Sequence, residues 1–142
     1  MILADVNVLV YACRRDAPRH NEFRAWLESC VSGYAPFGVS ELVLSGVLRV
    51  LTHPRVFVPQ TPSDTAHAFV DALRGQPNCV LLQPGPRHWA IFAQLCRSAG
   101  ARGNLIADAY HAALAIEHGC EWITADRDFS RFKGLHWRHP LD

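Results

Sequence analysis

Short apolar runs alternate with longer amphipathic segments along the whole chain. Apolar residues that recur at helical spacing predict helices, and brief apolar runs between turn residues predict buried strands. The predicted strands are residues 2–4, 37–39, 80–82, 122–124 and 135–138. The predicted helices are residues 18–31, 41–52, 62–74, 88–99 and 104–118, with Ser40 and Ser63 as N-caps and Gly119 just beyond the last helix. The apolar run 6–13 is expected to become helical after Asn7.

This alternation of strands and helices is typical of an α/β fold with a short, mostly parallel central sheet. Parallel strands need helical connections, and such folds bind ligands beyond the carboxyl ends of the strands. The chain has 142 residues, which is the length of one domain, and neither a repeat nor a linker divides it. We therefore expect a single domain over residues 1–142, with its functional side chains at one edge of the sheet.

The composition excludes several classes of protein. Apolar residues make up 49% of the chain and charged residues 19%, which excludes a disordered tail. The net charge is +1, so any surface that binds nucleic acid must be local. The P-loop, nucleophile-elbow, HExxH and GxGxxG motifs are all missing from the sequence.

The cysteines and the distribution of charges predict the compartment. There are five cysteines, an odd number, and none is in a CxxC pair. No run of 18 residues lacks a charge, so no membrane span is expected. The opening MILADVN has neither a basic region nor an apolar run before its first acid. We expect a protein with free thiols in the reducing cytoplasm.

Four acidic residues occupy positions where parallel α/β folds commonly carry functional side chains. Asp5 follows the first strand, Glu41 opens the helix after the second, and Asp126 follows the fourth. Asp108 lies in a helix of alanines and other apolar residues, where an acid has no capping task. The carboxyl ends of these strands share one edge of the sheet, so we expect the acids to lie close together.

A cluster of carboxylates predicts a divalent cation. Like charges raise the energy of ionising one another, whereas Mg²⁺ and Mn²⁺ prefer oxygen ligands. A cation held in this way polarises a phosphodiester and activates water, without a serine or cysteine nucleophile. Taken one at a time, Asp5 and Glu41 are equally suited to helix N-termini, and Asp126 to a turn.

Three polar residues accompany the acids. Asn7 lies two residues after the first acid, Thr124 two residues before the last, and Asn104 one helical turn before the helical acid. We expect these side chains to orient the carboxylates from outside the metal's own ligand set. Ordinary turn chemistry is the alternative for Asn7 and Thr124.

Four segments together carry a resemblance to a known family. They are ILADVNVLVYA, VSELVLSGVLRVLTHPRVF, GNLIADAYHAALAIEHG and WITADRDFSRFKGLHWRHPL. In this order and spacing the chain resembles the PIN-domain ribonucleases, and among them the VapC-type toxins of bacterial toxin–antitoxin pairs. The resemblance implies a three-layer α/β/α fold and an Mg²⁺- or Mn²⁺-dependent endoribonuclease that cuts tRNA or rRNA. It also implies an acidic site at Asp5, Glu41, Asp108 and Asp126.

The same resemblance implies partners. Proteins of this type form homodimers and pair with a small VapB-type antitoxin, which covers a groove near the site and places a basic side chain among the acids. Cationic side chains near the first and last acids are candidates to hold RNA phosphates. They are Arg14, Arg15, Arg19, Arg24, Arg127, Arg131 and Lys133.

Two other functions fit part of the pattern. A phosphatase or receiver-like domain would use Asp5 as a nucleophile, but Asn7 stands where such a site needs a second acid, and Lys133 is the only lysine. A non-catalytic module that binds RNA or a protein partner would keep the fold and cleave nothing. Cleavage of RNA by the wild type would distinguish the ribonuclease from the non-catalytic module. A covalent phosphate on Asp5 would identify the phosphatase.

Overall fold

A computed structural model of the protein describes all of residues 1–142 and contains five strands, six α-helices and one short 3-10 helix. The strands are β1 (Ile2–Ala4), β2 (Phe37–Val39), β3 (Cys79–Leu81), β4 (Glu121–Ile123) and β5 (Trp137–Arg138). The helices are α1 (Val6–Cys13), α2 (His20–Val31), α3 (Glu41–Leu51), α4 (Ser63–Arg74), α5 (His88–Ala99) and α6 (Asn104–Glu117). The 3-10 helix is Arg127–Arg131. Every predicted element is present, with ends that differ by at most two residues.

All five strands form one parallel sheet in the order β3-β2-β1-β4-β5. The chain moves from β1 through β2 to β3 by way of α1 to α4, and then returns past β1 to β4 by way of α5 and α6. Because parallel crossovers are right-handed, connections that run in opposite directions lie on opposite faces of the sheet. The fold therefore has three layers, α/β/α, which confirms the predicted fold class.

The register of the two central strands determines which residues meet at the carboxyl edge of the sheet. In β1 and β4, Leu3 is paired with Trp122 and Ala4 with Ile123. Leu3, Trp122 and Ile123 are completely buried, so hydrophobic packing on both faces fixes this register. The residues that follow the two strands, Asp5 and Thr124, are consequently neighbours at the carboxyl edge.

Helices α1 and α3 cross at very short range. A Cβ atom added to Gly46 in α3 would lie 2.8 Å from a methyl carbon of Val6, closer than real Cβ contacts come. Glycine is therefore required here for close approach. The buried face of α3 consists of Val43, Leu44, Val47 and Leu51.

The loop between β3 and α5 is tied to the end of α6. The Glu117 carboxylate accepts hydrogen bonds from the backbone amides of Gly85, at 2.7 Å, and Arg87, at 2.9 Å. Burial opposes ionisation of Glu117, but these two hydrogen bonds, together with nearby His118 and His88, outweigh it and hold the pKa of the carboxylate below its ordinary value. The Glu117 carboxylate thus supplies hydrogen-bond acceptors for two backbone amides of a loop that does not pair with a strand.

Ser40 occupies the predicted N-cap position of α3, whereas the predicted cap of α4, Ser63, is wrong. Ser40 precedes α3, but its buried hydroxyl makes no capping hydrogen bond, and α4 begins at Ser63 itself, directly after Pro62. Gly119 adopts the left-handed conformation, with φ of 64°, that the residue beyond a helix often needs.

No disulfide joins the five cysteines; Cys120 is buried and the other four are half-buried. None of the helices combines the length and apolar character that a membrane crossing needs.

Candidate active site

Asp5 stands at the junction of β1 and α1. Its backbone amide donates to the carbonyl oxygen of Ile123 in β4 at 2.9 Å, which continues the sheet by one residue. Its carboxylate Oδ1 accepts a hydrogen bond from the Val6 amide at 2.7 Å, so Asp5 is also the N-cap of α1. The side chain is buried. Asp5 therefore both caps α1 and lies at the carboxyl edge of the sheet.

Two side chains hold the other oxygen of this carboxylate. The Thr124 hydroxyl donates to Asp5 Oδ2 at 2.7 Å, and the Asn7 amide donates to the same atom at 3.0 Å. Asn7 is itself fixed, because its Oδ1 accepts a hydrogen bond from the Ala125 amide at 3.1 Å. With three donors engaged, the Asp5 carboxylate keeps about one of its four lone-pair positions for a ligand.

Asp126 and Asp108 face the same space as Asp5. The Asp126 amide donates to Thr124 Oγ1 at 3.0 Å, and its Oδ1 accepts from the Asp128 amide at 2.9 Å. Asp108 projects from α6, is half-buried, and accepts no hydrogen bond from the protein. All three acids line one cleft of about 540 Å³, and Asn104 also lies on its wall.

The acids repel one another, and no lysine or arginine side chain offsets this repulsion. Burial raises the pKa of Asp5 to about 6, and nearby Asp126 adds to the rise, while the three hydrogen bonds oppose it. Burial also raises the pKa of Asp108 to about 6, with further contributions from Asp5, Asp126 and Asp128. No lysine or arginine contributes to either shift. The centre is therefore an uncompensated negative site.

Glu41 does not join this group. Its carboxylate lies 3.5 Å from the Arg74 guanidinium at the end of α4, its side chain is 59% exposed, and it does not line the cleft. The phase of α3 explains this position. Successive helical residues are about 100° apart, so Glu41 points roughly opposite to Val43 on the buried face.

Residues that the sequence pattern did not predict also line the cleft. Arg49 and Val50 come from the last turns of α3, and Val56 and Phe57 from the loop that follows. Arg49 lies eight residues beyond Glu41, a rise of about 12 Å along the helix. The signal for Arg49 in the sequence is that it is the only charged residue in α3 after its first position.

His111 lines the cleft and lies three residues after Asp108 in α6. Its ring stacks on Trp122, with 5.5 Å between ring centroids and 15° between planes, and its Nδ1 has no hydrogen-bond partner. Burial lowers the pKa of His111 to about 4, so the ring is neutral near pH 7. A neutral ring adds no positive charge to the acidic centre.

The donor set fits a hydrated divalent cation. Asp108 is open, Asp5 has a free lone-pair position, and Asp126 faces them; all are hard oxygen donors of the kind that Mg²⁺ and Mn²⁺ prefer. No three His, Cys, Asp or Glu side chains lie close enough to enclose an ion by themselves. Mg²⁺ commonly keeps several of its waters and binds through one or two carboxylates, so an open set of this kind matches its chemistry.

Most cations near the first acid are already engaged. Arg14 pairs with Asp16, and it also donates to the carbonyl of Pro59 at 3.0 Å. Three other candidate cations form exposed ion pairs, which join Arg19 to Glu22, Arg24 to Glu28 and Arg127 to Asp142. These residues lie outside the cleft, and so do Arg15, Arg131 and Lys133.

Comparison with known proteins gives consistent results along the whole chain. The family model described as "PIN domain" matches residues 2–135. A VapC ribonuclease of Mycobacterium bovis is 47% identical over 142 residues, which is 100% of this chain and 97% of that protein. Ribonuclease VapC25 of Mycobacterium tuberculosis is 42% identical over 99% of this chain and 100% of its own length.

Solved structures share the fold at much lower sequence identity. The VapBC2 complex of Rickettsia felis, bound to a DNA fragment from its promoter, contains a chain with a TM-score of 0.71 and 17% identity, covering 98% of both chains. VapC20 of Mycobacterium tuberculosis, described as a sarcin-ricin loop cleaving toxin, has a TM-score of 0.69 and 16% identity over 95% of this chain and 98% of its own. At such identities the likeness is one of fold.

Proposed function

The chain belongs to the PIN-domain family, and we propose that it is a metal-dependent endoribonuclease, the toxin of a type II toxin–antitoxin pair. Its curated relatives of the same length are named VapC ribonucleases. One domain over residues 1–142 is part of this proposal. The substrate is cellular RNA of the tRNA or rRNA class, and a neighbour in fold is described as a sarcin-ricin loop cleaving toxin.

The observation that carries the proposal is the convergence of Asp5, Asp108 and Asp126 on one cleft without a compensating cation. Asp5 and Asp108 would be the principal ligands of Mg²⁺ or Mn²⁺, and Asp126 would complete the set. Glu41 has no place in this arrangement, because it is paired with Arg74 outside the cleft.

The residues of the chain have distinct tasks in the reaction. When bound, the cation supplies positive charge to the phosphodiester and lowers the pKa of the attacking water. Thr124 and Asn7 keep Asp5 Oδ2 occupied, so Asp5 presents Oδ1 in a fixed orientation. Water adds to phosphorus as the bond to the 3′-oxygen breaks, and that oxygen takes up a proton. The products carry a 5′-phosphate and a 3′-hydroxyl.

The proposal is tested by incubating the purified protein with tRNA and rRNA in Mg²⁺, in Mn²⁺ and in EDTA. We expect cleavage with either ion and none in EDTA. Asp108→Asn should abolish cleavage, because it removes the only acid of the three with no hydrogen bond from the protein. Asp71→Asn is the matched control, since Asp71 is an exposed acid of α4 outside the cleft.

Four results would contradict the proposal. Cleavage that persists in EDTA, or in Asp108→Asn, would exclude the metal-dependent mechanism. Binding of RNA without cleavage by the wild type in either ion would favour a non-catalytic module. Mapping of the new ends checks the chemistry separately, because a 2′,3′-cyclic phosphate would exclude attack by water.

We also propose a VapB-type antitoxin as protein partner and a homodimer as the assembled toxin. Several structural neighbours are VapBC or FitAB structures, some of them bound to DNA, and one is described as a toxin–antitoxin complex. An uncompensated acidic cleft suits a basic side chain from such a partner. Co-expression with the product of an adjacent small gene, followed by size measurement of the purified complex, tests both assignments.

A further inference from the structure

Arg49 is the one arginine that lines the acidic cleft, and it has no partner within the protein. It sits in the last turn of α3 with an exposed side chain, and no hydrogen bond or salt bridge engages its guanidinium. Its charge also makes no contribution to the raised pKa values of Asp5 and Asp108. Arg49 therefore lies in the same cleft as the acids but too far from them to form an ion pair.

This situation differs from that of most arginines in the chain. Arg14, Arg19, Arg24, Arg74, Arg127 and Arg138 each form a salt bridge with a carboxylate. Arg87 donates to the carbonyl of Glu117, and Arg97 to the side chain of Gln94. An unpaired guanidinium at the wall of an acid-lined cleft retains all five donors for a ligand.

The wall beside Arg49 is apolar and held in place. Val56 is 53% exposed, and Phe57 lines the cleft next to it. The guanidinium of Arg14 stacks over the Phe57 ring, 4.3 Å from its centroid, and donates to the carbonyl of Pro59 and the hydroxyl of Thr61. This loop is thus anchored from outside the cleft, and two of its apolar side chains, Val56 and Phe57, line the cleft.

We propose that Arg49 binds a backbone phosphate of the RNA substrate, next to the phosphodiester that the acidic centre cleaves. The proposal rests on the ribonuclease function and specifies how substrate enters the cleft. Guanidinium groups bind phosphate through paired hydrogen bonds, and the apolar wall at Val56 and Phe57 accommodates the attached nucleoside. The separation of Arg49 from the acids leaves the space between them for the scissile group.

The test measures binding of a labelled single-stranded RNA oligonucleotide in EDTA, where no cleavage occurs, over about 50 to 200 mM salt. For Arg49→Gln we expect a Kd about fivefold higher, and a slope of log Kd against log salt that is smaller by about 0.7, the value for one phosphate contact on a single strand. Arg49→Lys should retain the slope, because it keeps the charge. Arg97→Gln is the matched control, since Arg97 also occupies the last turn of a helix, α5, but lies outside the cleft.

Cleavage and stability measurements distinguish the possible failures. In Mg²⁺, Arg49→Gln should raise KM more than it lowers kcat, and it should retain the rise in Tm that Mg²⁺ produces in the wild type. A salt slope and Kd equal to those of the wild type, or a change no larger than that of Arg97→Gln, would overturn the proposal even if the wild type cleaves RNA. A wild type that does not cleave, but binds RNA through Arg49, would contradict the ribonuclease function and leave the role of Arg49 standing.

Discussion

Replacing Asp108 with asparagine should make the metal-free protein more stable while it destroys the active site. Asp108 is half-buried among other acids and receives no hydrogen bond from the protein, so its ionised form is unfavourable in the fold. Asparagine has nearly the same shape and a similar helix propensity. The substitution therefore removes the charge and changes little else.

The magnitude follows from the pKa of Asp108, which rises from 3.8 to about 6 on folding. A difference of this size corresponds to about 3 kcal/mol if it is fully expressed at neutral pH. Solvent screens a half-exposed carboxylate, so we expect about 1 kcal/mol. In a domain of this length, that raises the Tm by roughly 3 °C.

The sign of the pH dependence is fixed by the direction of the shift. Because the pKa of Asp108 is higher in the fold than in the unfolded chain, ionisation of this carboxylate destabilises the protein fully above about pH 6, and the cost decreases between pH 6 and the ordinary pKa of 3.8. The gap in Tm between Asp108→Asn and the wild type should therefore be fully present near pH 7.5, narrow below about pH 6 and close near pH 3.8. Thermal denaturation in EDTA measures both values.

Added Mg²⁺ or Mn²⁺ should reverse the order of stability. The ion binds only the native state, so it should raise the Tm of the wild type, and it should raise that of Asp108→Asn much less. Asp71→Asn should follow the wild type under all conditions. If Asp108→Asn were less stable than the wild type in EDTA near pH 7.5, or if millimolar Mg²⁺ left the wild-type Tm unchanged, the account of an uncompensated acidic centre would be refuted.

Three further predictions concern single side chains. Glu41→Gln should leave cleavage unchanged and alter stability by less than about 1 kcal/mol, because it removes only an exposed ion pair, and a loss of cleavage would return Glu41 to the site. Thr124→Val removes a donor that lowers the pKa of Asp5, so the acidic limb of the cleavage profile should move to higher pH, whereas an unmoved limb would show that the hydroxyl does not tune the acid. Glu117→Ala should cost about 1–3 kcal/mol in urea denaturation by leaving two loop amides without an acceptor. Since the pKa of Glu117 is lowered in the fold, that loss should shrink as the pH falls below 4.5, and a loss independent of pH would contradict the role of its charge.

The fold was largely predictable from the sequence because its local patterns agree with one another. Each strand is a brief apolar run between turn residues, and the alternation with helices left few possible topologies. The family resemblance carried by four segments is confirmed by the match to residues 2–135. Helix caps were less predictable, because a serine at the right position can be buried without making its bond, as Ser40 is.

The site was predictable where the backbone itself delivers the side chain. Asp5 follows a central strand directly, so the sheet places it at the edge and beside Thr124. Glu41 begins a helix, and the direction of its side chain depends on the rotation of that helix about its axis, which its position after a strand does not determine. Arg49 was overlooked because its place in the cleft depends on how α3 packs across α1 at Gly46, a long-range contact that local patterns do not contain.

The pairing of β1 with β4 also determines how the acidic centre responds to force and to inhibitors. The amide of Asp5 is hydrogen-bonded to Ile123 at the middle of the sheet, so it should exchange with deuterium only when the whole domain unfolds. Pulling Asp5 away from Thr124 would require separating β1 from β4 inside the five-stranded sheet. An inhibitor of this enzyme would therefore have to block a rigid cleft, because distorting the cleft would require unfolding the domain.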